Sequence, residues 1–305
     1  MNKKILLALV GIELSIAVPA SATELWETHL RGTDVGLASG ALPPPGFYFV
    51  DNNNFVSFNK YNSSGNMEPN TRLYAYVNIP ILLWSTGLKI LGGDYAVAIA
   101  QPFDYTSIGS GYGVGTGAGN IGLFNTVIEP VAISWTFGNT HILGGIAFYL
   151  NDGSSTISDI IKGNFHNGGL PSSNGYNALE PNIAISWLKN GWNLSVSAHL
   201  TFPLDSQKQG QYNYKSGQTL LVDYTAEKTI GSWSFGLGGA SQNQLGPDHL
   251  NGTRVLGSQE TNYSLGPIIG YQFGKLSVTA VWLHGVYTKN DVGGDIVNVR
   301  LLTKF

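Results

Sequence analysis

The chain has 305 residues with 40 Gly, no Cys, a formal charge of −3 and only 11% charged residues, less than half of the roughly 25% usual in a soluble domain. An aromatic share of 11% excludes a disordered chain, and the near-neutral charge gives no basis for binding nucleic acid. The lack of Cys excludes a disulfide framework and thiolate zinc, haem or iron–sulfur sites.

Lys3 and Lys4 form a basic start, Ile5 to Val18 is apolar but for Glu13, and Pro19-Ala20-Ser21-Ala22 ends on small residues. That order is a secretory signal peptide over residues 1–22, cut after Ala22. Residues 23–46 precede the first strand and read either as a periplasmic arm or as a plug. Beyond residue 22 no run approaches the ~18 apolar residues of a membrane helix. The longest, Val77 to Ile90, is broken by Asn78, Pro80, Ser85 and Gly87.

From residue 47 onward the chain reads as strands of period two. Trp192, Leu194, Val196, Ala198, Leu200 and Phe202 alternate with Asn193, Ser195, Ser197, His199 and Thr201, which is a strand and not a helix. Strands are expected at 47–58, 71–84, 89–103, 120–137, 140–150, 179–188, 192–202, 218–229, 232–242, 259–273, 275–288 and 295–305. Tight turns at Ser85–Leu88, Gly138-Asn139, Lys189-Asn190-Gly191, Gly231 and Gly274 alternate with mostly long connections, of which only 289–294 is short. Short turns on one side and long loops on the other predict an all-β, antiparallel transmembrane outer-membrane β-barrel of twelve strands over 47–305. A secreted β-sandwich also alternates, but its solvated face would be Lys and Glu, whereas here it is Ser, Thr, Asn and Gly. Trp84, Trp135, Trp187, Trp192 and Trp233 lie near the tight turns, where an interfacial girdle belongs.

Glu129-Pro130-Val-Ala-Ile-Ser-Trp135 repeats as Glu180-Pro181-Asn-Ile-Ala-Ile-Ser-Trp187 with one residue more. Simple parity would point Glu129 at lipid, which suggests a bulge near Pro130. On polar faces, parity assigns Glu180, Asn182, His199, Asp223, Glu227, Asn298 and Arg300 to the lumen. Gly117-Ala-Gly119-Asn-Ile-Gly122 matches a dinucleotide-binding spacing, but it leads into a strand and not a helix, so it reads as loop and no cofactor is expected. The His residues form no ligand motif, so no metal is expected. Ser197 and His199 share a face as a barrel hydrolase would require, a pairing that i, i+2 neighbours also produce by chance.

Gly40-Ala-Leu-Pro-Pro-Pro-Gly-Phe-Tyr-Phe49 resembles the opening motif of the phenol meta-pathway outer-membrane family. Pro80-Ile-Leu-Leu-Trp84, Lys89-Ile-Leu-Gly-Gly-Asp-Tyr-Ala96, Gly117 to Pro130, Glu180-Pro-Asn-Ile-Ala184 and Asn190-Gly-Trp-Asn-Leu-Ser195 continue the match, with departures in 151–178. The resemblance implies an outer-membrane channel for passive uptake of small hydrophobic or aromatic compounds, and it supplies no site residues. The alternatives are a barrel hydrolase acting on lipid or lipopolysaccharide, and a structural or surface-interaction barrel. The expected partners are outer-membrane lipid and lipopolysaccharide, the solute, and the barrel-insertion machinery, which would read the terminal aromatic Phe305.

Overall fold

The computed structural model describes residues 27–109, 117–118, 122–153, 172–209 and 212–305. The signal-peptide reading of 1–22 and Gly119 to Ile121 of the glycine motif lie outside them. Twelve wall strands are present: β1 (Gly46–Lys60), β2 (Leu73–Ile90), β3 in two runs (Gly93–Ala100 and Phe103–Ile108), β4 (Val127–Phe137), β5 (Thr140–Tyr149) and β6 (Ala178–Lys189). They continue as β7 (Trp192–Pro203), β8 (Thr219–Ile230), β9 (Trp233–Gln244), β10 (Thr261–Phe273), β11 (Leu276–Lys289) and β12 (Val292–Lys304). Each pairs antiparallel with its chain neighbour, and β1 pairs both β2 and β12, so the sheet closes on itself. Closure leaves no free edge, which is how strands satisfy their backbone in lipid. No helix among the described residues is long and apolar enough to cross a membrane.

The burial pattern is inside out. Along β7, Ser195, Ser197, His199 and Thr201 are buried while Leu194 and Val196 face outward, each 43% exposed. Ile183, Ile185, Phe235, Leu237, Leu265 and Ile269 are outward in the same way. A continuous apolar band of this size is stable only against lipid. Near the tight turns the band ends in aromatic clusters: Phe47 stacks on Trp84 at 5.4 Å, and Tyr271 meets Trp233 at 4.7 Å and Phe273 at 4.4 Å. Asn190 and Gly191, both at positive φ (51° and 77°), form one of these turns, the backbone that matches strand twist in a two-residue hairpin.

Three expectations about strand limits are corrected. The Ser85–Leu88 stretch is a bulge and not a turn: the register between β2 and β3 slips between Ser85 and Lys89, and the strand runs on to Ile90. The Thr86 hydroxyl donates to the Tyr95 carbonyl and accepts from Leu88 N, replacing the ladder bonds lost there. Residues 124–126 stay outside β4, because Phe124 bonds back to Pro102 and buries its ring in the interior. The last strand starts at Val292, after a turn of Asn290 and Asp291 that is tighter than the expected 289–294. The repeat that differs by one residue is resolved by a bulge: β4 slips against β5 between Ile128 and Val131. Glu129 consequently faces inward, where its Oε1 accepts from Asn182 Nδ2 at 2.8 Å. On the long-loop side, Gln207–Gln209, Tyr212–Lys215, His249–Leu250 and Thr253–Arg254 pair into a separate four-stranded sheet.

Candidate functional site: an occupied lumen with an apolar chamber

Residues 27–45 run inside the ring of strands in an irregular path, so their backbone polar groups need partners other than water or a ladder. The polar wall supplies them. Asp223 on β8 accepts from the amides of Gly32 and Asp34, both at 2.9 Å, and Thr225 Oγ1 accepts from Gly36 N at 2.8 Å. Ser186 Oγ accepts from Gly40 N at 2.8 Å, and Ser134 Oγ donates to the Gly40 carbonyl at 2.7 Å. Ser85 and Tyr48 donate to the carbonyls of Pro43 and Pro44, and Lys304 Nζ to that of Pro45. The Ser and Thr composition of the inner face is therefore a template for this segment.

Two arginines fix its first half, around residues 31–35. Arg31, almost fully buried, donates to Asp291 and Gln242 at 3.0 Å and to the Val292 carbonyl at 2.7 Å, and pairs with Glu27 at 2.6 Å. Burial raises the Glu27 carboxyl to about 7, against the opposing pull of the Arg31 charge. Arg300 on β12 donates to Asn52 Oδ1 at 2.8 Å, to the Val35 carbonyl at 3.0 Å and to that of Thr33. Close approach is made possible by small residues. An added Cβ on Gly238 would lie 2.1 Å from Val35 Cγ1, and one on Gly40 would lie 2.6 Å from the Ser186 amide.

The lumen has two halves of different chemistry. Inward positions on β2 are Leu73, Ala75, Val77 and Ile79, which pack with Val56, Phe58, Ala100 and Ile296 and with Leu30 of the segment. Between this half and the segment lies a cavity of about 520 Å³, bounded by Leu37, Ala38 and Leu42 on one side and Val50, Ile79, Ile81, Leu83, Ala98 and Leu143 on the other. At its far end the wall turns polar, with Glu129, Tyr149, Glu180, Asn182 and His199.

That polar end is organised around Glu180 on β6. Its Oε1 lies 3.1 Å from His199 Nδ1, 3.1 Å from His29 Nδ1 and 3.2 Å from the Tyr149 hydroxyl, and its Oε2 accepts from Thr201 at 2.8 Å. His199 Nε2 lies 3.0 Å from Asp34 Oδ2, and the His29 and His199 rings are 3.9 Å apart. Burial would raise the Asp34 carboxyl, but the hydrogen bond and charge of His199 outweigh it and hold it well below the usual range. Both His199 nitrogens are engaged by carboxylates, leaving neither to take a proton from Ser197, so this pair lacks the free base a hydrolase needs.

Of the residues chosen by parity, Glu180, Asn182 and His199 border the chamber. Asp223 and Arg300 bind the segment, and Asn298 Nδ2 donates to Asn52 Oδ1 at 3.1 Å. Glu227 is buried on the same face of β8. Parity did not single out Tyr149, Asp34 or His29: the last two sit in a stretch with no period, which the sequence marks only as an arm or a plug. Phe305 is 73% exposed at the end of the wall, its amide bonded to the Phe47 carbonyl at 3.0 Å.

Among solved structures, the COG4313 outer membrane channel from Pseudomonas putida F1 aligns with a TM-score of 0.68 at 13% identity, over 87% of this chain and 97% of that one. The translocator domain of the autotransporter NalP from Neisseria meningitidis aligns at 9% identity over 88% of this chain and 91% of its own, with a TM-score of 0.47. At such identities the likeness to the first is one of fold, that of a closed barrel of the bacterial outer membrane. No curated protein matches the chain in sequence. The profile of the family described as "Putative MetA-pathway of phenol degradation" matches residues 57–301, and the chain belongs to that family.

Proposed function

We propose that this outer-membrane barrel carries small hydrophobic or aromatic molecules passively through its lumen, with residues 27–45 as a plug that shifts to let them pass. The single observation behind this reading is the chamber of about 520 Å³ set against an apolar wall. Small-molecule sites are typically of about 300–1,000 Å³, mostly apolar, with a few convergent polar groups. A lumen for sugars or ions would present polar groups on all sides, whereas here β1–β3 offer Val50, Ile79, Ile81, Leu83 and Ala98. A solute entering it sheds water at about 25 cal/mol per Å² of apolar surface, while the Tyr149 hydroxyl and the Asn182 amide stand at the polar end to meet a single polar substituent such as a ring hydroxyl. Movement follows the gradient across the membrane.

Liposomes containing the purified barrel and a trapped probe of aromatic entry test the reading. Toluene and phenol should enter faster than into empty liposomes, and Leu83→Trp, which fills the chamber, should abolish the difference while leaving the barrel heat-modifiable. Equal entry with and without the folded protein would end the transport reading.

A further inference from the structure

We propose that His29, Glu180 and His199 form a binding site for one divalent transition-metal ion of the Zn²⁺ class, which fastens the plug to the barrel wall. The donor atoms of these three residues lie within 4.8 Å of one another. His29 Nδ1 and His199 Nδ1 each approach Glu180 Oε1 to 3.1 Å, near the ~3.3 Å between neighbouring donors that bonds of about 2.0–2.1 Å give in a tetrahedral site. Two imidazoles and one carboxylate select Zn²⁺ and its neighbours over Ca²⁺ or Mg²⁺, which prefer all-oxygen sets.

Three further observations make this a built site and not a chance meeting of side chains. First, the hydrogen bonding at Glu180 Oε1 is over-subscribed. A carboxylate oxygen has two lone pairs, yet two imidazole nitrogens and the Tyr149 hydroxyl converge on it at 3.1–3.2 Å, and that hydroxyl also lies 3.3 Å from His29 Nδ1; a cation to which both nitrogens and the oxygen donate lone pairs relieves the crowding. Second, the supporting shell is present. His199 directs Nε2 at Asp34 Oδ2, 3.0 Å away, leaving Nδ1 as the ligand, and Thr201 holds the other Glu180 oxygen. This carboxylate–histidine–metal arrangement fixes ring orientation and tautomer at metal centres. That support serves the two wall ligands: the far nitrogen of His29, Nε2, is buried with no hydrogen-bond partner among the described residues. Third, acidic groups gather at the cluster, and the imidazoles face them. Asp34, Glu129 and Glu180 gather here, and among the described residues none of the three forms an ion pair with Lys or Arg.

The ligands come from two sides. His29, like Asp34 behind His199, belongs to the plug, while Glu180 and His199 belong to β6 and β7. The remaining side of the cluster opens on the chamber, where water or the polar group of a solute completes the coordination. Metal binding thus adds to the hydrogen bonds that seat the plug.

The full-length barrel, purified in detergent, stripped with EDTA and dialysed against ZnCl₂, should retain one Zn²⁺ per chain by mass spectrometry and bind it in calorimetry. His29→Ala changes only the plug and should weaken binding by roughly a hundredfold; Asp34→Asn, one shell out, by about tenfold or more. His284→Ala, at an exposed His–Asp295 pair, should leave the bound ion in place. Heat-modifiable migration certifies each variant as a folded barrel. Absence of retained Zn²⁺ in the folded wild type, or retention lost with His284→Ala and kept with His29→Ala, overturns the proposal. Binding is read without transport, so its failure leaves the uptake reading standing, and the reverse also holds.

Discussion

Replacing Arg31 by Met should unseat the plug without opening the barrel. Arg31 meets Asp291 and Gln242 at 3.0 Å and the Val292 carbonyl at 2.7 Å in full burial. Breaking a buried ion pair by removing one partner costs about 3–5 kcal/mol. Asp291 keeps two donors, Asn262 Nδ2 at 3.1 Å and Val292 N at 2.6 Å, so the lower figure of about 3 kcal/mol applies. The cost falls on the seated state alone, because an unseated segment exposes Arg31 to water. At about 1.4 kcal/mol per tenfold, the unseated population rises by roughly a hundredfold. The chain has no Cys, so Val35→Cys introduces a single thiol at a position of 0% exposure. When seating is fast relative to reaction, labelling tracks the open population. A maleimide should therefore label Arg31→Met with Val35→Cys roughly a hundredfold faster than Val35→Cys alone. A change of less than about threefold, in a barrel that migrates as folded, would refute the assignment of this ion pair as the main fastening.

Four other outcomes follow from the same contacts. Asp223→Ala leaves the Gly32 and Asp34 amides buried without an acceptor, at about 1–3 kcal/mol each, and should also speed labelling at residue 35, with Asp223→Asn milder. Gly238→Val places side-chain atoms where Val35 sits and should destabilise the seated plug by about 1–3 kcal/mol; Val35→Ala in the same chain should restore protection, read as proteolysis of the N-terminal segment. Val196→Arg on the lipid face should lower folding stability in bilayers by about 2–4 kcal/mol, and an unchanged urea midpoint would mean that this face does not meet lipid. Deletion of Phe305 should cut the outer-membrane yield of heat-modifiable protein, and an unchanged yield would rule out its reading by the insertion machinery.

The barrel was legible because its outward face is apolar on nearly every strand, so the period of two survives the irregular loops. What escaped has specific causes. Ser85-Thr86-Gly87 has the composition of a turn, yet the Thr86 hydroxyl repairs a bulge and that of Ser85 binds the inner segment, while the true turn puts Leu91 at φ 50°, a conformation no propensity assigns to leucine. β2 reads ambiguously because Leu73, Ala75, Val77 and Ile79 point inward and Tyr74 and Tyr76 outward, so neither face stands out as polar. Parity can mark Glu180 and His199 as polar-face residues, but it cannot say what they meet. The partners His29 and Asp34 come from a stretch without periodicity, more than 140 residues away in sequence. Proline beside Glu129, read against the longer repeat at Glu180, was enough to anticipate one bulge.

Arg300 sets an order on how the molecule is assembled. It lies on the final strand, and three of its bonds end on Asn52, Val35 and Thr33, residues from the beginning of the described chain. The seam between β1 and β12 runs from Tyr48 opposite Lys304 to Lys60 opposite Val292. If that seam zipped shut around an empty ring, the Arg300 guanidinium would keep Asn52 as its one acceptor among these three and would turn its remaining donors to the water of the lumen. With residues 27–45 already inside, the same step completes the guanidinium's bonds. A late entry is obstructed as well, because Val35 fits a notch cut by Gly238 and the segment is tethered to β1 by Pro43, Pro44 and Pro45. The pairing of β12 with β1 thus favours closure over a filled ring, with residues 27–45 inside the barrel as its template.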